Sequence, residues 1–217
     1  FLSHPELTWN LCSILVNENP PGKGIPGMGE FLSFCGIRGI GRIGKIDAER
    51  EPEVRAYLES AAVDERWRIR EAVAMALQDL MDARPEACLS ILHAWTREEN
   101  HLLQRAVVAG IAEPRFMKKP GIARAALALH KEILGKVARE SDTRDADFLV
   151  LVKGLSYTLS VIITGIGEEG FSYLEELLDT GNPVLHMIVR ENLKKKRLQR
   201  LDPVRSAALQ RKLETQV

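Results

Sequence analysis

The 217 residues include 30 Lys and Arg against 30 Asp and Glu, giving a formal net charge of zero, and are 45% hydrophobic but only 6% aromatic. This length suffices for one sizeable core or one continuous stack of repeats, and the Ala- and Leu-rich, aromatic-poor mixture favours closely packed helices over a β-rich core. Cys12, Cys35 and Cys88 are widely spaced with no Cys-x-x-Cys pair, which argues against a metal knuckle or redox site and for reduced thiols in a cytoplasmic protein.

Taken in chain order, a first helix is expected after Ser3, with Pro5 in its opening turn and Leu7, Leu11, Ile14 and Leu15 at apolar helical spacing. The start carries no basic segment followed by an apolar one, so no signal peptide is expected. Residues 19–29 combine three prolines with four glycines and predict a loop. Residues 31–44 have apolar helical spacing but are interrupted by glycines, each costing about 1 kcal/mol inside a helix. Close helix packing would account for these glycines; a partly irregular terminal segment is the competing expectation. From Pro52 onward helices are predicted over 53–63, 86–97, 100–112, 121–139, 145–164, 169–179, 183–198 and 203–214, with Pro85, Pro120 and Pro183 as first-turn prolines. Asp64 is the expected N-cap of a further helix carrying Trp67. There Ile69, Ala72, Val73, Ala76, Leu77 and Leu80 form the apolar stripe, and Arg68, Glu71, Gln78 and Asp79 lie toward the other side. The apolar run from Leu155 to Gly167 is too short and too interrupted to span a bilayer.

Three Gly-x-Gly-x-x-Gly matches occur, at Gly22, Gly24 and Gly27, at Gly39, Gly41 and Gly44, and at Gly165, Gly167 and Gly170. None follows a strand and opens a helix in a βαβ unit, as pyrophosphate binding requires, so no nucleotide cofactor is expected. His4, His93, His101, His130 and His186 show no metal-ligand spacing, and no nucleophile elbow or phosphate loop appears; no metal, cofactor or catalytic residue is assigned.

What recurs is a helix-sized unit. Arg70-Glu-Ala-Val-Ala matches Arg105-Ala-Val-Val-Ala 35 residues later, and basic-marked units return at Lys153, 48 residues further on, and at Arg190, after another 37. Such periods mark stacked helix pairs, and an all-α superhelix is the expected fold. Residues 1–50 are expected to cap the stack and residues 51–217 to form the repeat domain of a single solenoid.

Residues 64–77, 85–95 and 103–115, with Val189 to Leu198 as a closing repeat, resemble bacterial HEAT-like repeat proteins, which are related in architecture to the HEAT-like alkylpurine DNA glycosylases. The resemblance covers about residues 52 to 200. It implies a concave face on which Arg66, Trp67, Arg70, Arg105, Lys153, Arg190 and Lys194 are the candidate binding residues. If the chain worked as those glycosylases do, the cations would contact phosphates, Trp67 and Trp95 would flank a base and Asp64 would lie near the sugar. The Trp-Asp segment followed by a second Asp that those enzymes use does not occur here. The sequence expectation is therefore a non-enzymatic scaffold binding another protein, with DNA as the alternative partner and no membrane partner. From Arg190 to Lys212, nine basic residues face two acidic ones, leaving the C-terminal end at +7 and the remainder at −7. Trp67, Trp95 and Asn192 also have plain structural readings, the tryptophans as packing and Asn192 as a donor to a neighbouring carbonyl.

Overall fold

The computed structural model describes residues 4–17 and 28–215, and among these the protein is entirely helical. The predicted loop over 19–29, including Gly22, Gly24 and Gly27, lies almost wholly outside the described residues. The chain divides into two compact units, Phe1–Glu98 and Glu99–Val217.

The first unit contains α1 (Pro5–Asn17), α2 (Met28–Ile46), α3 (Glu51–Ala62), α4 (Trp67–Ala83) and α5 (Pro85–Arg97). Its centre is the contact of α2 with α4, flanked by α1 and α3 on α2 and by α3 and α5 on α4. The glycines of α2 explain this arrangement. A Cβ on Gly41 would overlap the Cβ of Ala76 in α4; on Gly44 it would lie 2.8 Å from Val54 Cγ1, and on Gly36 it would lie 2.7 Å from Val16 Cγ2. Each missing side chain lets a neighbouring helix approach, so the whole segment is helix despite its propensity cost. The predicted stripe Ile69, Ala72, Val73, Ala76, Leu77 and Leu80 is buried. Asp79, expected on the polar side, is buried as well: its carboxylate meets Arg38 Nη1 at 2.9 Å and Arg42 Nη1 at 3.1 Å, so two cations of α2 compensate one anion of α4.

The second unit contains α6 (His101–Ile111), a 3-10 turn (Phe116–Lys118), α7 (Pro120–Val137), α8 (Ala146–Ile166), α9 (Glu168–Asp179), α10 (Pro183–Leu193), α11 (Lys196–Leu201) and α12 (Pro203–Thr215). Helix α8 is its axis and contacts α6, α7, α9, α10 and α11. With 21 residues and a mean hydropathy of 1.8 over its most apolar window, α8 is long and apolar enough to cross a membrane by length and composition. This exceeds the sequence expectation because the run extends on the N-terminal side of Leu155. Helix starts follow from side-chain capping: the Asn100 carboxamide oxygen accepts from the Leu102 and Leu103 amides, Asp145 from Phe148, and Asn182 from Val184 and Leu185. Asn182 also donates through Nδ2 to the Ala138 carbonyl at 3.1 Å, fixing the start of α10 to the end of α7.

The single helix expected over 183–198 is broken at Lys194 and Lys195. Lys195 is extended (φ −77°, ψ 123°), and this bend returns Leu198 to the core, where it is fully buried. Burying that leucine favours the bend over continuation of a straight helix.

Candidate binding surfaces

Asp64 does not cap α4, which starts at Trp67. It forms a turn in which its Oδ1 accepts from the Arg66 amide and both carboxylate oxygens accept from the Arg66 guanidinium, at 2.8 and 2.7 Å. The carboxylate raises the guanidinium pKa further above its ordinary value. Arg70 donates to the carbonyls of Asp64 at 2.5 Å and Glu65 at 2.9 Å. These two arginines thus tie the α3–α4 turn to the first turns of α4, a fork-and-carboxylate arrangement whose planarity Lys does not supply. The Arg66 fork and the Arg70 Nη1 donor are engaged by the fold.

Beside this turn is a cleft of about 430 Å³ lined by Val16, Asn17, Ser33, Tyr57, Asp64, Arg66 and Ile69, among others. Asn17 Nδ2 donates to the Tyr57 hydroxyl at 3.1 Å across it, and Arg66 reaches Ser33 Oγ at 3.4 Å. The charged groups of its wall neutralise one another, leaving a hydroxyl- and amide-rich surface with no net charge.

Trp67 is 56% exposed, with the Arg68 guanidinium over its ring at 4.7 Å. Its plain packing role fails. Trp95, in contrast, is buried and donates Nε1–H to Glu59 Oε2 at 3.2 Å, so it cannot flank a base. Arg105 is 7% exposed and lies inside the second unit against Gly154 of α8; as an outward binding residue it is corrected. Lys153, Arg190 and Lys194 are exposed.

Asn192 is fully buried on α10 and makes three bonds. Its Nδ2 donates to Leu155 and Ile188 carbonyls at 2.8 Å each, and its Oδ1 accepts from the Ser160 amide at 2.8 Å. A carboxamide inserted between α10 and α8 satisfies both polarities of the α8 backbone. His130 of α7 is likewise internal, meeting the Ala126 carbonyl through Nδ1 at 2.8 Å and Thr158 Oγ1 through Nε2 at 2.9 Å, and burial lowers its pKa to about 4. The imidazole is therefore neutral at physiological pH, with Nδ1 the protonated nitrogen because a carbonyl only accepts.

The basic C-terminal region is arranged differently from the first unit. In the first unit Arg38, Arg42, Arg50, Arg55, Arg66, Arg68 and Arg84 all meet carboxylates. Among the described residues, Lys194 meets Glu191, Arg205 meets Glu168 and Lys212 meets Glu175 and Asp179, whereas Arg190, Lys195, Lys196, Arg197, Arg200 and Arg211 make no ion pair. Arg190 in the last turn of α10 and Lys194 just past its end, with Gln210, Leu213 and Glu214 of α12, line a cleft of about 440 Å³. Sequence reasoning singled out the two cations but not their α12 partners, which lie 16 or more positions away in a separate helix. No family model, no curated protein and no solved structure matches this chain.

Proposed function

We propose that this all-helical chain is a non-enzymatic, HEAT-like repeat scaffold that binds another protein. The observation carrying this reading is how the recurring cations divide: Arg70 holds two backbone carbonyls and Arg105 is buried, whereas Lys153 and Arg190 stand exposed. The cations consumed by the fold hold its turns and core, and partner recognition falls to the side chains left outward, Lys153, Arg190 and Lys194 among them. Affinity capture with chemical cross-linking, followed by calorimetry on the purified candidate, tests the reading alongside a metabolite turnover screen. A purified protein that binds in solution supports it. Turnover abolished by a single side-chain change overturns it, as does failure of every candidate to bind once purified.

A second reading, binding of duplex DNA without sequence choice, has in its favour the exposed run Arg190, Lys194, Lys196, Arg197 and Arg200. It requires a gel shift whose affinity falls steeply with salt. No shift at low salt ends it.

A further inference from the structure

We infer that His101, at the start of α6, is a pH-operated clasp: with both ring nitrogens protonated it ties α6 to the α7–α8 loop and to the start of α8, and the tie opens as the ring loses a proton. The device lies within the second unit and is separate from the outward cations assigned to partner binding.

The imidazole stands between two carboxylates. Its Nδ1 is 3.2 Å from Asp145 Oδ1 and its Nε2 is 3.3 Å from Glu140 Oε2. The ring packs against the buried Phe148 at 5.3 Å between centroids, which restrains its plane. Both carboxylates are anchored by the backbone. Glu140 Oε1 accepts from the Ser141 amide at 2.8 Å and the Asp142 amide at 2.9 Å, and Asp145 Oδ1 accepts from the Phe148 amide at 2.7 Å as the N-cap of α8. Such bonds, led by the Asp142 amide on Glu140 and the Phe148 amide on Asp145, hold both carboxyls below the usual carboxylate range. Neither acid therefore has a proton to give the ring. A neutral imidazole has one N–H and one lone pair, so it satisfies one anion and turns its lone pair on the other, whereas the imidazolium satisfies both.

Below the pH at which the ring titrates, both bonds are made and the loop is held. As the pH rises through that titration, one bond becomes a repulsive contact; histidine is the side chain that ordinarily changes charge between pH 5 and 8. Among the described residues Glu140 and Asp145 form ion pairs with no cation other than His101, so no second pair maintains the tie. The neighbouring charges are occupied or turned elsewhere. Glu99, Lys136 and Arg139 line the adjoining cleft of about 230 Å³, with Lys136 Nζ on Glu99 Oε1 at 2.9 Å. Arg105, one turn along α6, is buried, Asp142 accepts from the Arg144 amide at 3.1 Å, and Asp147 of α8 is exposed. The side chains of His101, Glu140 and Asp145 are 25%, 26% and 42% exposed, so protons exchange at the clasp without unfolding of the unit.

The test is nitrogen NMR on the full chain at pH 5 and pH 8, the ends of the histidine range, reading the His101 ring and the backbone amides of residues 139–145. The expected result is that both ring nitrogens carry protons at pH 5 and one does at pH 8, while the order parameters of those amides fall from about 0.85 to about 0.6. In His101→Gln the order parameters are expected to be the same at both pH values. Glu140→Gln with Asp145→Asn keeps oxygen acceptors for the anchoring amides and the α8 cap but removes both anions, and is expected to leave the loop loose at both pH values. Circular dichroism checks that each variant folds, and the carboxylate pair decides the matter should His101→Gln fail to fold. A ring that keeps one charge state from pH 5 to pH 8 overturns the inference. So does a wild-type loop equally ordered at both, the same pH-dependent loosening in His101→Gln, or a carboxylate variant whose loop stays ordered at pH 5.

Discussion

Acidification singles out His130. Its imidazole has no solvent exposure, its Nδ1–H is given to the Ala126 carbonyl and its Nε2 lone pair to the Thr158 hydroxyl. Charging the ring inside the core would deprive the cation of water, and this desolvation, opposed by the bond to the Ala126 carbonyl, holds the group near pKa 4 against an ordinary 6.5. Between those values the unfolded chain binds a proton that the folded chain refuses, so stability falls as pH drops through 6.5 and the loss is complete near pH 4. A depression of about 2.5 units at about 1.4 kcal/mol each gives a total of about 3.5 kcal/mol, of which about 2 kcal/mol is gone by pH 5. His130→Gln retains a neutral polar side chain and removes the titration. Urea unfolding of both proteins between pH 4 and 7, followed by circular dichroism, reads the difference. Trp9, Trp67 and Trp95 all belong to the first unit, so tryptophan fluorescence reports that unit while circular dichroism also reports the second. The wild type minus variant stability should decline by about 2 kcal/mol from pH 7 to pH 5. A difference independent of pH refutes the reasoning.

Other substitutions probe the packing. Gly41→Ala should destabilise by about 1–3 kcal/mol because its methyl would overlap Ala76, whereas Gly121→Ala, which meets nothing within 4 Å, should stabilise by up to about 1 kcal/mol; thermal melts give both signs. Asn192→Leu leaves the buried Ser160 amide without its acceptor and should cost about 2–4 kcal/mol, with faster hydrogen exchange at Ser160 as its local signature. Asp79→Asn removes the anion between Arg38 and Arg42 and should cost about 1–3 kcal/mol, most of it recovered when Arg38→Met is added, a pattern read from a double-mutant cycle in urea.

Much of the helical order was legible because its signals are local. Pro85, Pro120 and Pro183 open α5, α7 and α10 as predicted, and the stripe from Ile69 to Leu80 is buried as its spacing requires. Asn192 bonds a neighbouring carbonyl, the structural role expected of an amide on an apolar stripe. What escaped depends on contacts distant in sequence. The glycines of α2 weaken a helix when read alone and become necessary only once Ala76 and Val54 are opposite them. Asp79 has the pattern of a surface residue until Arg38 and Arg42 approach from α2. The bend at Lys195 serves the burial of Leu198, and no turn residue announces it. The binding candidates divided along the same line. Arg66 and Arg70 were singled out by charge, but a charge pattern does not disclose that Asp64 and two carbonyls lie within reach. The α10–α12 cleft joins residues of two helices whose spacing carries no period.

The most direct measurement is calorimetry between the full chain and a protein recovered with it, each purified, at low and high salt, with the Arg190→Glu, Lys194→Glu variant alongside. The account predicts a defined stoichiometry, weakening by salt and about ten-fold loss in the variant while turnover of metabolites stays absent. Absence of heat with every purified candidate, or a small molecule consumed at a rate that one side chain controls, contradicts it.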